Sequence, residues 1–95
     1  MRDEYLKKDV KVVYASEFKD ASSKLKKKNS ETFERLLAQV EKIIREPEFG
    51  KPLRYSLRNR RRLRIGSFVL IYEFYNNEIR FLDFDHHDRI YKKYI

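Results

Sequence analysis

Lys11-Val12-Val13-Tyr14 gathers β-branched and aromatic residues, which favour a pleated, half-buried surface, and predicts a first strand beginning near Asp9 or Val10. Ser16 has the side chain of an N-cap, and Glu17 follows in the first turn of a predicted short helix. Phe18, Ala21 and Leu25 follow the 3, 4 spacing of one helical face, and the basic stretch from Lys24 to Lys28 ends it. Asn29 or Ser30 caps a second, longer helix, with Glu31 and Glu34 near its positive end. Phe33, Leu36, Leu37, Val40, Ile43 and Ile44 form its apolar stripe, and Pro47 stops it by forcing the preceding residue out of helical geometry.

Glu48 to Asn59 shows no periodicity, contains Gly50 and Pro52, and reads as a loop. From Arg60 the pattern turns to strands. Arg60 to Ile65 turns at Gly66-Ser67 into Phe68 to Tyr75, and Asn76-Asn77 is a two-residue hairpin signal, because Asn tolerates the left-handed backbone of a type I′ turn. Glu78 to Phe84 is the last predicted strand, followed by a basic tail from His86. The order β-α-α-β-β-β predicts one α+β domain over residues 1–95, a helical hairpin packed on one face of a mainly antiparallel four-stranded sheet.

Composition sharpens this outline. In 95 residues, Lys+Arg 23 against Asp+Glu 15 leaves a net charge of +8, and 7 Phe with 7 Tyr supply enough apolar surface for a folded core. With no cysteine, disulfides, thiol nucleophiles and Cys-ligated metal are excluded. With 2 glycines, neither a Walker loop nor a dinucleotide fingerprint can be written. The longest apolar run, Phe68 to Tyr72, is far short of a membrane span, and Met1-Arg2-Asp3-Glu4 lacks a signal-peptide pattern. The expectation is a cytoplasmic, basic domain with an anionic partner and no membrane association.

The charge is concentrated. Between Lys51 and Arg64 stand Lys51, Arg54, Arg58, Arg60, Arg61, Arg62 and Arg64, with no acid among them. Alternate residues of a strand share a face, so Arg60, Arg62 and Arg64 line one side, opposite Leu63 and Ile65. Tyr55 offers a ring on which a base can stack. Neighbouring guanidiniums repel one another, so the row suits an anion whose oxygens match planar forks, most simply a phosphate backbone. The alternative is a solubilising or edge-protecting role. A second cluster, Asp85-His86-His87-Asp88-Arg89-Ile90-Tyr91-Lys92-Lys93, concentrates titratable groups. Adjacent strand residues point apart and no other histidine exists, so no metal site is expected, whereas a histidine suits general acid or base chemistry. A polar strand terminus is the alternative.

Taken together, Lys51-Pro52-Leu53, Arg61-Arg62-Leu63-Arg64-Ile65-Gly66-Ser67-Phe68, Ile71-Tyr72-Glu73 and the stretch from His86 to Tyr91 resemble the RelE/ParE toxin superfamily over nearly the whole chain. The resemblance implies the toxin of a type II toxin–antitoxin system. RelE-like members are messenger endoribonucleases acting in the ribosomal A site, and ParE-like members inhibit DNA gyrase. It implies a metal-independent cut without cofactor: the substrate's 2′-hydroxyl attacks the adjacent phosphate, leaving a 2′,3′-cyclic phosphate and a 5′-hydroxyl. Arg62 and Arg64 match the basic positions of the second strand in RelE-like toxins, and His86 and Tyr91 match the C-terminal pattern. Val69 stands where an arginine is usual, Asp85 replaces a glycine, and His87 replaces a second arginine, at a place where YafQ-like members carry a functional histidine.

The catalytic candidates are therefore Arg62, Arg64, His86, His87 and Tyr91. Lys51, Arg54, Tyr55, Arg58, Arg60, Arg61, Lys92 and Lys93 are the candidates for binding RNA. The implied partners are messenger RNA, the ribosome with its RNA, and a small acidic RelB-like antitoxin in a heterodimer or heterotetramer. A ParE-like gyrase inhibitor, a relative that has lost catalysis, and a basic nucleic-acid-associated protein without toxicity are the alternatives.

Overall fold

The structure, a computed structural model, describes residues 10–53 and 59–94. Among them the chain runs β1 (Lys11–Tyr14), α1 (Ser16–Lys28), α2 (Ser30–Arg45), β2 (Lys51–Pro52), β3 (Arg60–Ile65), β4 (Phe68–Tyr75), β5 (Glu78–His86) and α3 (His87–Tyr94). The strands make one sheet in the order β1-β5-β4-β3-β2. β1 is parallel to β5, and the other neighbouring pairs are antiparallel.

The α+β class and the helical hairpin on a mainly antiparallel sheet agree with expectation, but two elements do not. The sheet has five strands rather than four, because Lys51 and Pro52 pair with Arg62 and Arg61 inside the expected loop. Two residues are too few for a period, and proline is tolerated there because this is an edge strand. The expected basic tail is also structured: β5 continues to His86, and α3 follows without a gap. Eight residues with Ile90 buried and Tyr94 half-buried one turn later are too short a run for a periodic pattern to stand out.

Caps and turns follow local chemistry. Asn29 serves both helices: its N–H donates to the Leu25 carbonyl at 2.8 Å, closing α1, and its side-chain oxygen accepts the Thr32 N–H at 3.1 Å, opening α2. At α1 the cap is the extended Ala15, with no side-chain bond, so Ser16 is the first helical residue rather than the cap. Asn76 and Asn77 have φ of 56° and 63°, as a type I′ turn requires.

The principal core lies between the helical hairpin and one sheet face. Phe18 and Leu25 of α1 and Leu36, Val40 and Ile43 of α2 meet Ile65, Leu70, Tyr72, Ile79, Phe81 and Phe84. Leu37, expected in the α2 stripe, is 42% exposed, so the buried stripe is narrower than the apolar one. A smaller core of Leu53, Val69, Ile71 and Ile90, flanked by Leu82 and Tyr94, lies beneath α3 on the opposite face.

A bulge separates the two halves of β5. Ile71 pairs with Asp83 while Tyr72 pairs with Phe81, leaving Leu82 without an opposite number. Without that extra residue Asp83 would share the helical-hairpin face with Phe81. With it, Asp83 joins Ile71 on the α3 face and Phe84 returns to the main core.

Candidate active site

Strand alternation sorts β3. Leu63 and Ile65 pack toward the helical hairpin, and Arg60, Arg62 and Arg64 occupy the other face. Register lays Lys51, Arg62, Ile71 and Asp83 in one row across the sheet, and Arg64, Val69 and Asp85 in the next. Val69 is buried at 2% exposure in the small core, so the position where the family resemblance leads one to expect an arginine holds an inaccessible apolar side chain.

The arginines have distinct surroundings. Arg60 Nε lies 3.9 Å from the Glu73 carboxylate, with its guanidinium 5.7 Å from the Tyr94 ring. The Arg62 guanidinium lies 5.9 Å from the Tyr91 ring. Exposed Arg64 donates from Nε to the Gly66 carbonyl at 2.9 Å. Gly66, at φ +61°, makes the tight β3–β4 turn, and the next carbonyl, Ser67, accepts the His87 N–H at 2.9 Å. One turn thus holds Arg64 on one side and the start of α3 on the other. The His87 ring is 6.1 Å from Tyr91 and stacks on His86 at 4.6 Å. Arg62, Arg64, Tyr91, His87 and His86 are thereby brought to one end of the sheet. The expectation that the two histidine rings point apart is overturned: the strand ends between them, so strand alternation no longer applies.

α3 is held in place by two carboxylates of β5. Asp83, 3% exposed, accepts Lys93 Nζ at 2.7 Å and the Tyr94 hydroxyl at 3.2 Å. Asp85 accepts Arg89 at 3.0 Å and the His86 N–H at 2.8 Å, with Lys93 at 3.5 Å. Burial pulls the Asp85 carboxyl upward, but the His86 N–H and the Arg89 and Lys93 cations outweigh it and hold it below the ordinary carboxylate range. The hydrogen bond to Asp83 holds Lys93 above the ordinary lysine value. Burial, reinforced by the Asp83 charge, raises the Tyr94 hydroxyl. Asp83 and Tyr94 escaped the sequence reading, and the broken alternation of Phe81-Leu82-Asp83-Phe84 is the signal that marks the former.

The expected RNA contacts divide. Lys51 is an exposed edge residue in the Arg62 row, Arg60 joins the basic face, and Lys92 is exposed on α3. Lys93 is engaged with Asp83. Arg61 pairs with Tyr72 on the other face, and its guanidinium donates to the Glu48 and Gly50 carbonyls at 3.0 and 2.7 Å. Those carbonyls belong to a loop that Tyr72 also fastens: its buried hydroxyl accepts the Gly50 N–H at 2.8 Å and donates to the Pro47 carbonyl at 2.7 Å. A Cβ on Gly50 would come within 2.7 Å of the Tyr72 ring, so the close approach requires glycine. Arg54, Tyr55 and Arg58 lie outside the described residues. A cavity of about 650 Å³ lies away from the arginine row, between α1, β5 and α3, and is lined by Asp20, Lys24, Leu25, Asp83 and Lys93 among others.

As chemistry, the end of the sheet offers two permanent cations, two imidazoles and an exposed phenol ring. Arginine does not deprotonate, so the guanidiniums can only neutralise an anion, and the groups able to move a proton are the two imidazoles and the Tyr91 hydroxyl. No helix among the described residues is long and apolar enough to cross a membrane.

Residues 5–91 match the family model described as the ParE toxin of type II toxin–antitoxin system, parDE. A protein of Methanocaldococcus jannaschii carrying the name toxin RelE4 is 40% identical over 73 residues, covering 74% of this chain and 78% of that one. In fold the chain is similar to the YoeB/ParE toxin from Agrobacterium tumefaciens, with a TM-score of 0.73 at 15% identity over 81% of this chain and 98% of that one. It is also similar to a chain of the RelB–RelE antitoxin–toxin complex from Methanococcus jannaschii, with a TM-score of 0.66 at 19% identity over 87% of this chain and 99% of that one.

Proposed function

From a chain that belongs to the RelE/ParE toxins of type II toxin–antitoxin systems, we infer a metal-independent endoribonuclease that cuts messenger RNA on the ribosome. The observation that carries this reading is the convergence of Arg62, Arg64, Tyr91 and His87 on one end of the sheet, around the Gly66-Ser67 turn. The 2′-hydroxyl of the substrate attacks the adjacent phosphorus, the bond to O5′ breaks, and the products are a 2′,3′-cyclic phosphate and a 5′-hydroxyl. Arg62 and Arg64 neutralise the charge that builds on the phosphorane. His87 takes the proton from the attacking 2′-hydroxyl and a proton is returned to the departing O5′, while His86 packs its ring against His87 and the exposed Tyr91 stacks on a base beside the cut. Lys51, Arg60 and Lys92 extend the basic surface along the RNA backbone.

A small acidic RelB-like antitoxin, in a heterodimer or heterotetramer, is the natural neutraliser of a chain at +8. The Methanococcus jannaschii fold relative was solved in complex with its antitoxin. Purification of the chain from its native operon without any small acidic companion would count against that pairing.

The test is primer extension on a message under translation, with the end groups identified. Codon-phased breaks bearing 5′-hydroxyls are expected, and they persist in chelator. His87→Ala slows cleavage on the order of 10²-fold or more; undiminished cutting by that variant removes His87 from its role. Binding to RNA follows a log–log salt slope of roughly −4 to −5 if six phosphates are contacted. A flat response contradicts backbone gripping. The ParE family match and the buried Val69 favour a second reading, a gyrase-inhibiting toxin that binds without cutting. Loss of gyrase supercoiling with no messenger breaks would establish it in place of the first.

A further inference from the structure

We propose that His86, His87 and Asp88 form a capture site for a divalent transition-metal ion, with Zn²⁺ as its probe, and that the bound ion inhibits the reaction proposed above. Among the described residues this is the one group of three or more histidine or carboxylate side chains whose ligand atoms gather, all within 4.8 Å of one another. Asp88 joins the two rings: its carboxylate lies 3.1 Å from His87 Nδ1 and 3.8 Å from His86 Nδ1. Tetrahedral zinc with bonds of about 2.0–2.2 Å places neighbouring donors roughly 3.3 Å apart; the His87–Asp88 pair is already near that spacing, and side-chain rotation closes the wider separations when an ion binds. His86 Nδ1 accepts the backbone N–H of Asp88 at 3.3 Å, a long bond that an ion on that nitrogen displaces.

Two imidazoles and one carboxylate are a donor set suited to zinc and its neighbours, and poorly suited to magnesium or calcium. The two histidine side chains are 40% and 30% exposed and that of Asp88 is 72% exposed, so an ion reaches the site from solvent and keeps open positions for water. Both rings have aromatic neighbours and also face solvent. His86 packs edge-on to Phe68 at 6.2 Å, and His87 lies between His86 and Tyr91. An ion on Nδ1 leaves His87 with a protonated Nε2 and no lone pair, able to donate a hydrogen bond but unable to accept a proton. The inhibitory half of the proposal rests on the endoribonuclease reading; the binding half does not.

The test uses the untagged full chain, stripped with chelator and titrated with Zn²⁺ by calorimetry and with Co²⁺ by visible absorption. One ion per chain is expected. Both His86→Gln and Asp88→Asn should weaken binding roughly tenfold or more. Asp88→Asn alters an exposed side chain and keeps the fold, which thermal unfolding of the metal-free proteins checks. In the cleavage assay Zn²⁺ slows the chain, and Asp88→Asn needs correspondingly more Zn²⁺ for the same fractional inhibition, each protein measured against its own metal-free rate. Absence of 1:1 binding, or affinity indifferent to both substitutions, overturns the site even if the chain cuts RNA. Binding that follows the substitutions in a chain that cuts no RNA upholds the site and removes the endoribonuclease reading. Binding without inhibition of an active chain overturns the inhibitory half.

Discussion

The two faces of the sheet are made from alternate residues of the same strands, yet different forces hold them. On one face the helical hairpin closes over Leu70, Tyr72, Ile79 and Phe81, all at 0% exposure, and the stabilising term is apolar burial. On the other, α3 rests on a core of four buried residues and is fastened by Asp83 and Asp85, while the arginine row stays partly open beside it. Apolar burial is concentrated on the first face, and the candidate site lies on the second. Substitutions should separate accordingly.

Phe81→Ala, in the main core, has the largest expected effect, about 3–5 kcal/mol of stability by urea unfolding. A loss under about 1 kcal/mol would mean that the hairpin face is not the principal core. Next comes the fastening of α3. Asp83→Asn should cost about 1–3 kcal/mol, because a buried, charge-assisted bond is lost. Hydrogen exchange should then quicken in α3 while β4 stays protected. Equal quickening in both would show that the two faces open as one unit.

Titration should give a smaller effect. Lys93 and Tyr94 have folded values above their ordinary ones, so their contribution is present below about pH 10 and is lost as the pH rises through the folded values. Asp85 has the opposite sign: its contribution is present above about pH 4 and is lost as the pH falls. Lys93 is 44% exposed and screened, so its share should stay under about 1 kcal/mol. Asp83→Asn should flatten the alkaline limb of stability, and an unchanged limb would detach Lys93 from α3 docking. Smallest of all on stability should be Arg64→Gln, within about 0.5 kcal/mol, since the side chain is exposed and bonds a single turn carbonyl.

This contrast also explains what the sequence made legible. The helical hairpin was readable from its helical period, and the β3–β4–β5 meander from β-rich runs set off by the turn chemistry of Gly66-Ser67 and Asn76-Asn77. Alternation in β3 put Arg60, Arg62 and Arg64 on one face, as found. The same parity places Arg61 with Leu63 and Ile65, and its guanidinium is indeed bound on that side, to the Glu48 and Gly50 carbonyls of the loop before β2. What escaped were features without a period. β2 is two residues long, α3 is eight, and the bulge at Leu82 reverses the parity of β5, which hid Asp83. The stacking of His86 on His87 depends on a strand ending between them, a boundary that composition and spacing do not mark.

The most direct test compares the chain with the Arg62→Gln/Arg64→Gln variant in the translated-message cleavage assay, after both are shown to unfold at similar urea concentrations. Codon-phased breaks made by the chain and reduced on the order of 10²-fold or more in the folded variant are the predicted result. Equal cleavage by the two would contradict the assignment of the arginine face as the RNA-cutting site.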